Sequence, residues 1–514
     1  MSPSGRGLVC VSNRIPIRIF AGAGGPAAEP SSGGLVRALQ PVLKEFDGAW
    51  VGAAGEFESP QAHRLLEDAA RGLSYRFAPL FLDADEDRRF YQGFSNEILW
   101  PLFHDLQSRC NFDPSYWEVY RRVNERFALA AEKAARPGDI IWIHDYQLMQ
   151  VARTLRRRGV ESPLAFFLHI PFPSPDIFGK LPWRREILEG LLEHDLIGVQ
   201  TQRDERNLIA CLRAFLPQVK ITGREGWRSI VGGARPSRIR SFPIGIDYEE
   251  FAAPLSAAIE RGREIRAKQP DRRILVGVDR LDYTKGVPER LKAFRAFLRR
   301  YPEFHRQVEL IQIVVPSREG IPGYLKLKAE LERLAAQVNG EFGEPGWIPV
   351  NYLHRPVTRN ELIAIYRAAD VALVTPLKDG MNLVAKEYCA AKTDADGVLV
   401  LSEFAGAAAE LRVGAVLVNP YDEFGTAAAL KQALEMPRRE RLRRMRRMRD
   451  QVRQCDIHKW RGAIFAALEE ICKGAAAVPE PWSAPLGVRN VGPAAVPHAG
   501  GSKSLGRARS SASA

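Results

Sequence analysis

Two cationic side chains in the second half of the chain are placed to bind phosphate. Arg280 and Lys285 lie five residues apart in the segment Asp-Arg-Leu-Asp-Tyr-Thr-Lys-Gly, directly after the apolar run Ile274–Val278. Arginine binds oxygens through two parallel N–H donors, whereas lysine acts as a compact point charge. The pair therefore suits a diphosphate, with a solvated surface loop as the alternative. Arg318 follows the run Val308–Val314 and adds another cation at a predicted strand end.

A predicted strand, a turn and a helix follow one another near residue 380. The strand Val371–Val374 leads into Thr-Pro-Leu-Lys-Asp-Gly-Met-Asn-Leu-Val-Ala-Lys-Glu, which ends at Glu387. The free N–H groups of a helix start attract an anion, and Glu387 is suited to accept hydrogen bonds from a ribose diol. The glycine-rich stretch from Gly22 to Gly34 precedes another predicted helix, but its spacing is neither the dinucleotide-binding nor the Walker pattern. A loop without a ligand is the alternative there.

Polar residues also follow the predicted strands of the first half. Arg14 comes after the first strand, His144 and Asp145 after the second, and His169 after the third. Ligands of open α/β sheets bind beyond the carboxyl ends of the strands, so these side chains indicate a ligand cleft. A zinc site is not indicated, because no third ligand has suitable spacing. Anions and polyols are the expected ligands, and loop histidines bonded to backbone are the alternative.

Short β-branched runs that alternate with helical patterns must position these residues. The predicted strands are Leu8–Ser12, Ile140–Ile143, Leu164–Leu168, Leu196–Gln200, Ile274–Val278, Val308–Val314, Val371–Val374, Val398–Leu401 and Ala415–Val418. Such alternation predicts an α/β fold with parallel sheets that are buried on both faces. The length exceeds what one core supports, so we predict two Rossmann-like, doubly wound domains facing a central cleft. A (β/α)8 barrel fits less well, because the stretch from Gly52 to Pro137 looks irregular.

The segment Ser241–Asp247 is the predicted domain boundary. The first domain then covers residues 1–245 and the second covers residues 246–474, with the last helices free to cross back to the first domain. After Gly474 the composition changes to Ala, Pro, Gly and Ser, which predicts a disordered tail over residues 475–514.

The composition, 46% hydrophobic and 26% charged, is that of a soluble globular protein. No apolar run is long enough to span a membrane, and the start lacks a signal peptide, so we predict a cytoplasmic protein. The six cysteines are far apart and indicate neither zinc nor a redox pair.

Of the net charge of +13, the nine arginines and two acids between Arg438 and Arg453 contribute +7. We interpret this segment as a solvated surface helix rather than a nucleic-acid site.

Seven long motifs occur in order across residues 8–472. They are Val-Ser-Asn-Arg (11–14), Ser-Ser-Gly-Gly-Leu (31–35), Phe-Ser-Asn-Glu-Ile-Leu-Trp-Pro (94–101), Ile-Trp-Ile-His-Asp-Tyr (141–146), Phe-Phe-Leu-His-Ile-Pro-Phe-Pro (166–173), Asp-Arg-Leu-Asp-Tyr-Thr-Lys-Gly (279–286) and Thr-Pro-Leu-Lys-Asp-Gly-Met-Asn-Leu-Val-Ala-Lys-Glu (375–387). This series closely resembles the trehalose-6-phosphate synthases. The resemblance implies a GT-B fold and retaining transfer of glucose from UDP-glucose to glucose 6-phosphate, giving α,α-trehalose 6-phosphate and UDP. It also implies same-face attack, without a metal or other cofactor.

The resemblance implies a role for each matching residue. The acceptor would be bound by four residues of the first domain, Arg14, Tyr91, Trp100 and Asp145. Arg318 of the second domain would join them. The donor-binding residues would be Gly33, Gly34, Arg280, Lys285, Leu383, Val384, Ala385, Lys386 and Glu387. Asp379 and His169 would hold the transferred glucose, and with Arg280 and Lys285 they form the implied catalytic set.

Two positions depart from the family pattern. Ala53 stands where relatives often have a second Trp after Trp50, and Gln147 stands where many have His. The acceptor preference is therefore open, and transfer to glycerol 3-phosphate or another phosphorylated acceptor is the first alternative. A catalytically silent, sugar-phosphate-sensing regulator is the second. We expect small-molecule substrates and a possible homodimer or homotetramer, and the sequence does not specify the donor base.

Overall fold

In the computed structural model the chain folds around two β-sheets. The structure describes residues 6–22, 25–30, 34–232, 235–253, 255–317 and 322–473, which lie within one structural unit. The strands of the first sheet are β1 (Leu8–Gly22), β2 (Gly25–Pro30), β3 (Ala49–Gly55), β4 (Arg76–Phe81), β5 (Ile140–His144), β6 (Leu164–Phe167), β7 (Leu196–Val199), β8 (Lys220–Arg224), β9 (Trp227–Val231) and β10 (Ser237–Ser241).

The first sheet has the strand order β4-β3-β1-β5-β6-β7-β10-β9-β8, and β2 pairs with β1. The seven strands β4, β3, β1, β5, β6, β7 and β10 are all parallel to one another. Strands β2, β8 and β9 pair in antiparallel orientation. Every residue of β5, β6 and β7 is buried. Their continuous apolar sequence is explained by helices that cover both faces of the sheet.

The second sheet is parallel throughout and has the order β13-β12-β11-β14-β15-β16. Its strands are β11 (Arg273–Arg280), β12 (Val308–Val315), β13 (Val350–Leu353), β14 (Val371–Val374), β15 (Val398–Ser402) and β16 (Val416–Val418). The order reverses between β11 and β14, and such a switch point opens a crevice at the carboxyl ends of the strands.

The helices connect the strands and cover the sheets. They are α1 (Gly34–Phe46), α2 (Pro60–Ala70), α3 (Ala84–Glu86), α4 (Trp100–Phe103), α5 (Pro114–Ala134), α6 (Val151–Arg157), α7 (Pro175–Phe178), α8 (Arg184–Leu191), α9 (Gln202–Phe215), α10 (Tyr248–Ala252), α11 (Ser256–Ala267), α12 (Val287–Arg300), α13 (Pro322–Phe342), α14 (Arg359–Ala368), α15 (Leu383–Ala391), α16 (Ala408–Leu411), α17 (Glu423–Glu435), α18 (Arg438–Gln454) and α19 (Ile457–Cys472). A π-helix over Asp87–Leu99 joins α3 to α4, and short 3-10 turns cover Gln107–Arg109, Tyr146–Leu148, Tyr283–Lys285 and Pro302–Phe304. None of the helices in the described ranges is long and apolar enough to cross a membrane.

All nine predicted strands lie on strands of the two sheets, which confirms the α/β prediction. Two expectations were wrong. The first strand does not end at Ser12 but runs to Gly22, and it forms a hairpin with β2 where a glycine-rich loop was predicted. The stretch from Gly52 to Pro137 is not irregular, because it contains β4, the π-helix and α5.

The last two helices follow their amphipathic patterns. In α18, Met445, Met448 and Val452 are buried, and most of the arginines are exposed or half-buried at the surface, as the sequence indicates. The Arg441 side chain is an exception, because it is only 14% exposed and forms an ion pair with Asp396. In α19, Trp460 packs on the first sheet, with its ring 5.4 Å from that of Trp142 and 5.2 Å from that of Phe167. The chain thus returns from the second sheet to the first. The predicted tail over residues 475–514 lies outside the described residues.

Candidate active site

Loops that follow β11 and β14 bring a lysine and an aspartate together. Lys285 Nζ lies 2.5 Å from Asp379 Oδ2, and Asn382 Nδ2 donates to the same oxygen at 3.1 Å. The two loops meet because β11 and β14 are neighbours in a parallel sheet. Burial acts to raise the pKa of Asp379, but the charge of Lys285 and its hydrogen bond outweigh burial and hold this pKa below its ordinary value. Asp379 is therefore a fixed anion beside a fixed cation.

The loop after β11 has a tight turn that places Lys285. Asp282 accepts hydrogen bonds from the N–H and the hydroxyl of Thr284, at 3.0 and 2.9 Å. Gly286 follows in the left-handed region, with φ of 63°, and a Cβ there would lie 2.3 Å from the carbonyl oxygen of Thr375. Only glycine permits this approach to the β14 loop. Arg280 ends β11 and is exposed at the same edge, and its charge contributes to lowering the pKa of Asp379.

The strand ends of the first sheet contribute a histidine pair and an aspartate. His144 is fully buried at the end of β5, and its Nδ1 lies 3.2 Å from Nε2 of His169. The backbone N–H of His169 donates to Asp145 Oδ1 at 3.1 Å. Asp145 has a positive φ of 76°, which is uncommon outside glycine. Burial lowers the pKa of His169 to about 3, so the ring is neutral at pH 7.

Two contacts join these strand ends across the cleft. Trp100 Nε1 donates to Asp282 Oδ1 at 3.4 Å, so the first helix after the π-helix touches the loop that carries Arg280 and Lys285. On the other side, a Cβ at Gly380 would lie 2.2 Å from the carbonyl oxygen of His169, which shows how closely the two backbones approach. The polar strand ends of both sheets therefore face one cleft, as the sequence predicts.

A cavity lies beside Arg14, which is exposed on β1. The Arg14 guanidinium lies 4.8 Å from the centre of the Tyr91 ring, and its Nη2 is 3.9 Å from Asp87 Oδ1. Arg14 faces Ala53 in the register of β1 and β3. These residues, except Tyr91, border a cavity of about 270 Å³. Arg14 and Tyr91, which the sequence placed on the acceptor side, are thus brought together, and the small Ala53 leaves space beside them.

The helix start near residue 383 borders a second cavity. Leu383 and Glu387 line a space of about 410 Å³ together with Gln40 and Lys44 of α1. Glu387 Oε2 accepts a hydrogen bond from the Tyr366 hydroxyl at 3.1 Å. The Glu387 carboxylate is thus held at the edge of this cavity, beside the first turn of α15.

The other predicted donor-binding residues differ in which of their groups a ligand can reach. Val384 is half-buried and Ala385 is buried, so these two residues offer a ligand only the backbone N–H groups of the helix start. Lys386 corrects the sequence expectation, because its Nζ is buried, 2.5 Å from Glu410 Oε2 and 2.8 Å from the carbonyl oxygen of Ile244. In the structure the Lys386 ammonium is thus engaged by Glu410 and a backbone carbonyl. Gly34 begins α1, whereas Gly33 and Arg318 lie outside the described residues.

Sequence reasoning missed several residues that organise the cleft. Asn382, with a positive φ of 72°, fixes Asp379, and Asp282 shapes the turn before Lys285. Arg290 forms a buried ion pair with Asp279 under this turn, with 2.5 Å between Nη1 and Oδ2. Asp279 and Asp282 belong to the Asp-Arg-Leu-Asp-Tyr-Thr-Lys-Gly motif, and Arg290 follows it closely in the chain. The two acids of this motif were therefore the signal in the sequence that could have identified these contacts.

The profile of glycosyltransferase family 20 matches residues 6–470 of the chain. Trehalose-6-phosphate synthase of Mycobacterium marinum is 44% identical over 474 residues, which cover 90% of this chain and 93% of the relative. Trehalose-6-phosphate synthase of Mycobacterium ulcerans has the same identity and coverage.

Solved structures match over a similar length. A trehalose-6-phosphate protein from E. coli, bound with UDP-2-fluoro glucose, has a TM-score of 0.79 and 37% identity, covering 90% of this chain and 99% of its own. An α,α-trehalose-phosphate synthase (UDP-forming) from Burkholderia xenovorans, in complex with glucose-6-phosphate, has a TM-score of 0.79 and 35% identity, covering 90% of this chain and 100% of its own. The GT-B fold predicted from the motifs is confirmed by these similarities.

Proposed function

Since the chain belongs to glycosyltransferase family 20, we propose that it transfers glucose from UDP-glucose to glucose 6-phosphate with retention of configuration. The products are α,α-trehalose 6-phosphate and UDP, and the enzyme serves trehalose biosynthesis. Relatives that are 44% identical and cover nine tenths of the chain have this activity in their names.

The contact between Trp100 and Asp282, at 3.4 Å, is the observation that carries this proposal. Trp100 belongs to the expected acceptor side, and Asp282 lies in the loop between the two cations of the expected donor side. A transferase must hold both substrates in one cleft with the reacting atoms close together. The contact supports a shared cleft rather than two separate ligand sites.

The donor is held by the second sheet. Arg280 and Lys285 bind the diphosphate, while the first turn of α15 and Glu387 bind phosphate and ribose. Asp379 and His169 bind the hydroxyls of the transferred glucose from opposite sides of the cleft. Asp379 suits this role because Lys285 and Asn382 hold it as a carboxylate of fixed orientation.

The acceptor is held mainly by the first sheet. Arg14 binds the phosphate of glucose 6-phosphate with Tyr91 beside it, and Arg318 joins them from the second domain. Asp145 accepts hydrogen bonds from acceptor hydroxyls, and Trp100 forms the wall of the pocket. This division follows the proposed domains at residues 1–245 and 246–474, each of which binds mainly one of the two substrates.

The bond from the glucose anomeric carbon to the UDP oxygen breaks as the bond to the acceptor oxygen forms on the same face. The acceptor proton passes to the departing phosphate, whose growing negative charge Arg280 and Lys285 stabilise. Closure over the substrates excludes water and limits hydrolysis of the donor.

The positive charge that a metal would supply comes here from Arg280, Lys285 and the start of α15, so the reaction requires no metal or other cofactor. Turnover is expected to survive EDTA, and loss of turnover that Mg²⁺ restores would contradict this. We further propose that the enzyme works in the cytoplasm on small molecules, without nucleic acid or membrane partners, and as a homo-oligomer.

Product analysis tests the proposal directly. Purified protein is incubated with UDP-, ADP- or GDP-glucose and with glucose 6-phosphate or glycerol 3-phosphate, and nucleotide release and products are measured. We expect UDP-glucose and glucose 6-phosphate to give trehalose 6-phosphate at the highest rate. A higher rate with glycerol 3-phosphate would favour the alternative acceptor. No turnover with any pair would favour a regulatory protein.

A further inference from the structure

His144 is a buried histidine to which the proposed reaction gives no role. Its side chain is fully buried at the end of β5, and its Nδ1 lies 3.2 Å from Nε2 of His169. Its other ring nitrogen, Nε2, is sealed from solvent without a hydrogen-bond partner among the described residues. Trp142 packs against the ring, with centroids 4.4 Å apart, and fixes its plane.

We propose that His144 is a positioning residue that donates its Nδ1–H to His169 Nε2, so that His169 presents a protonated Nδ1 to the glucose in the cleft. The inference rests on the proposed function, in which His169 binds the transferred sugar. It adds that His169 is the donor in its hydrogen bond with the sugar.

The direction follows from which nitrogen can remain without a partner. Both rings are neutral at pH 7, because burial lowers the pKa of His169 to about 3 and that of His144 well below its ordinary value. One ring must then donate and the other accept across the 3.2 Å contact. If His169 donated, His144 would carry its proton on the sealed Nε2. A second buried N–H without a partner would then lie beside the Nε1–H of Trp142, which has none in the described part of the chain, and each such group costs its full desolvation penalty. With His144 as donor, only a lone pair is left unpaired.

The backbone around His169 is already fixed, so the ring tautomer is the remaining variable. Its N–H donates to Asp145 Oδ1 at 3.1 Å, and its carbonyl oxygen accepts from Gln200 Nε2 at 3.4 Å while lying against Gly380. His169 itself is partly exposed, unlike His144. A neutral imidazole has one donor and one acceptor, and a hydrogen bond at one nitrogen decides the role of the other. His144 therefore makes His169 a donor to sugar oxygens.

The first test is ¹⁵N NMR of the full-length protein with labelled histidine, in which the His169→Gln variant assigns the His169 signals. We expect His169 to be protonated at Nδ1 and unprotonated at Nε2. Protonation at Nε2 would overturn the proposal. This measurement needs only the wild-type fold, so it stands even if the proposed transfer activity fails in the product assay.

The second test compares His144→Leu with His144→Asn. The leucine removes the donor, and kcat is expected to fall roughly tenfold, as for the loss of one net hydrogen bond. The Kd for UDP, which carries no glucose, should not change, whereas general damage to the cleft would weaken UDP binding. Asparagine places an amide N–H close to the Nδ1 position and should recover part of kcat.

His194→Leu is the matched control, because His194 is also buried, in the turn before β7, but its Nδ1 donates to the carbonyl oxygen of Leu191 at 3.0 Å. It should keep kcat. A folded His144→Leu protein with unchanged kcat, or one whose loss asparagine does not reduce, would refute the role of His144.

Discussion

Replacing Lys285 by methionine tests the ion pair at the centre of the cleft. The side chains of Lys285 and Asp379 are only 11% and 14% exposed, and they approach to 2.5 Å. Removing one partner of a buried pair leaves an uncompensated charge, which typically costs 3–5 kcal/mol. We expect about 3 kcal/mol at pH 7, the lower end of that range, because Asn382 still donates to Asp379.

The stability lost in Lys285→Met should depend on pH in a defined direction. In the wild type the pKa of Asp379 lies below its ordinary value, so its contribution to stability is present above the unfolded pKa and is lost as pH falls through the folded pKa. In Lys285→Met the effect of burial is less opposed and the pKa of Asp379 rises. The variant is then destabilised as pH increases through this raised pKa. The difference between the two proteins should be largest at neutral pH and shrink in acid.

Urea unfolding followed by circular dichroism, at pH 7 and at pH 4, measures this difference. The double variant Lys285→Met/Asp379→Asn is the control, since it leaves no buried charge and should recover most of the lost stability. Its UDP release should nevertheless stay about 10²-fold or more below wild type, because the stabilising cation is absent. If Lys285→Met lowered the free energy of unfolding by less than about 1 kcal/mol, or by the same amount at both pH values, the ion pair would not stabilise the cleft as argued.

Three further substitutions test separate parts of the molecule. Arg280→Ala should lower kcat for UDP release by about 10²-fold or more, whereas Arg273→Ala, at the other end of β11, should not; equal effects would exclude a specific role in the cleft. Arg14→Ala should raise KM for glucose 6-phosphate at least tenfold by loss of a charge-assisted hydrogen bond, and an equal rise in KM for UDP-glucose would contradict its place on the acceptor side. Arg290→Met should destabilise the protein by about 3–5 kcal/mol, because Asp279 would remain buried without its partner; a melting temperature equal to that of wild type would show that the pair is dispensable.

The fold could be predicted where its strands are buried on both faces. Runs such as Ile140–Ile143 and Val398–Leu401 are uniformly apolar, and only central strands of a covered sheet need that pattern. The β1–β2 hairpin was missed because its glycines were interpreted as a loop. Isoleucine at every second position, Ile15, Ile17 and Ile19, was the signal in the sequence that β1 continues.

The cleft could be predicted only as a set of strand-end residues. The rule that ligands bind at carboxyl ends of parallel strands selected Arg280, Lys285 and Asp379 without any knowledge of their contacts. Which of them meet depends on which strands are neighbours, and β11 and β14 pair although the whole of β12 and β13 lies between them in the chain. Lys386 shows the opposite error, because a helix start says nothing about which side chains turn inward towards Glu410.

Backbone strain marks the same cleft from both sheets. Asp145 and Asn382 have φ values of 76° and 72°, in a region where residues other than glycine lose about 1–3 kcal/mol. Glycine would relieve that strain, but it would remove the carboxylate that receives the His169 N–H and the amide that holds Asp379. The two side chains are thus retained where relaxation would be easiest, one on each side of the cleft. This retention is what the proposed binding of the transferred sugar and its acceptor requires of both positions.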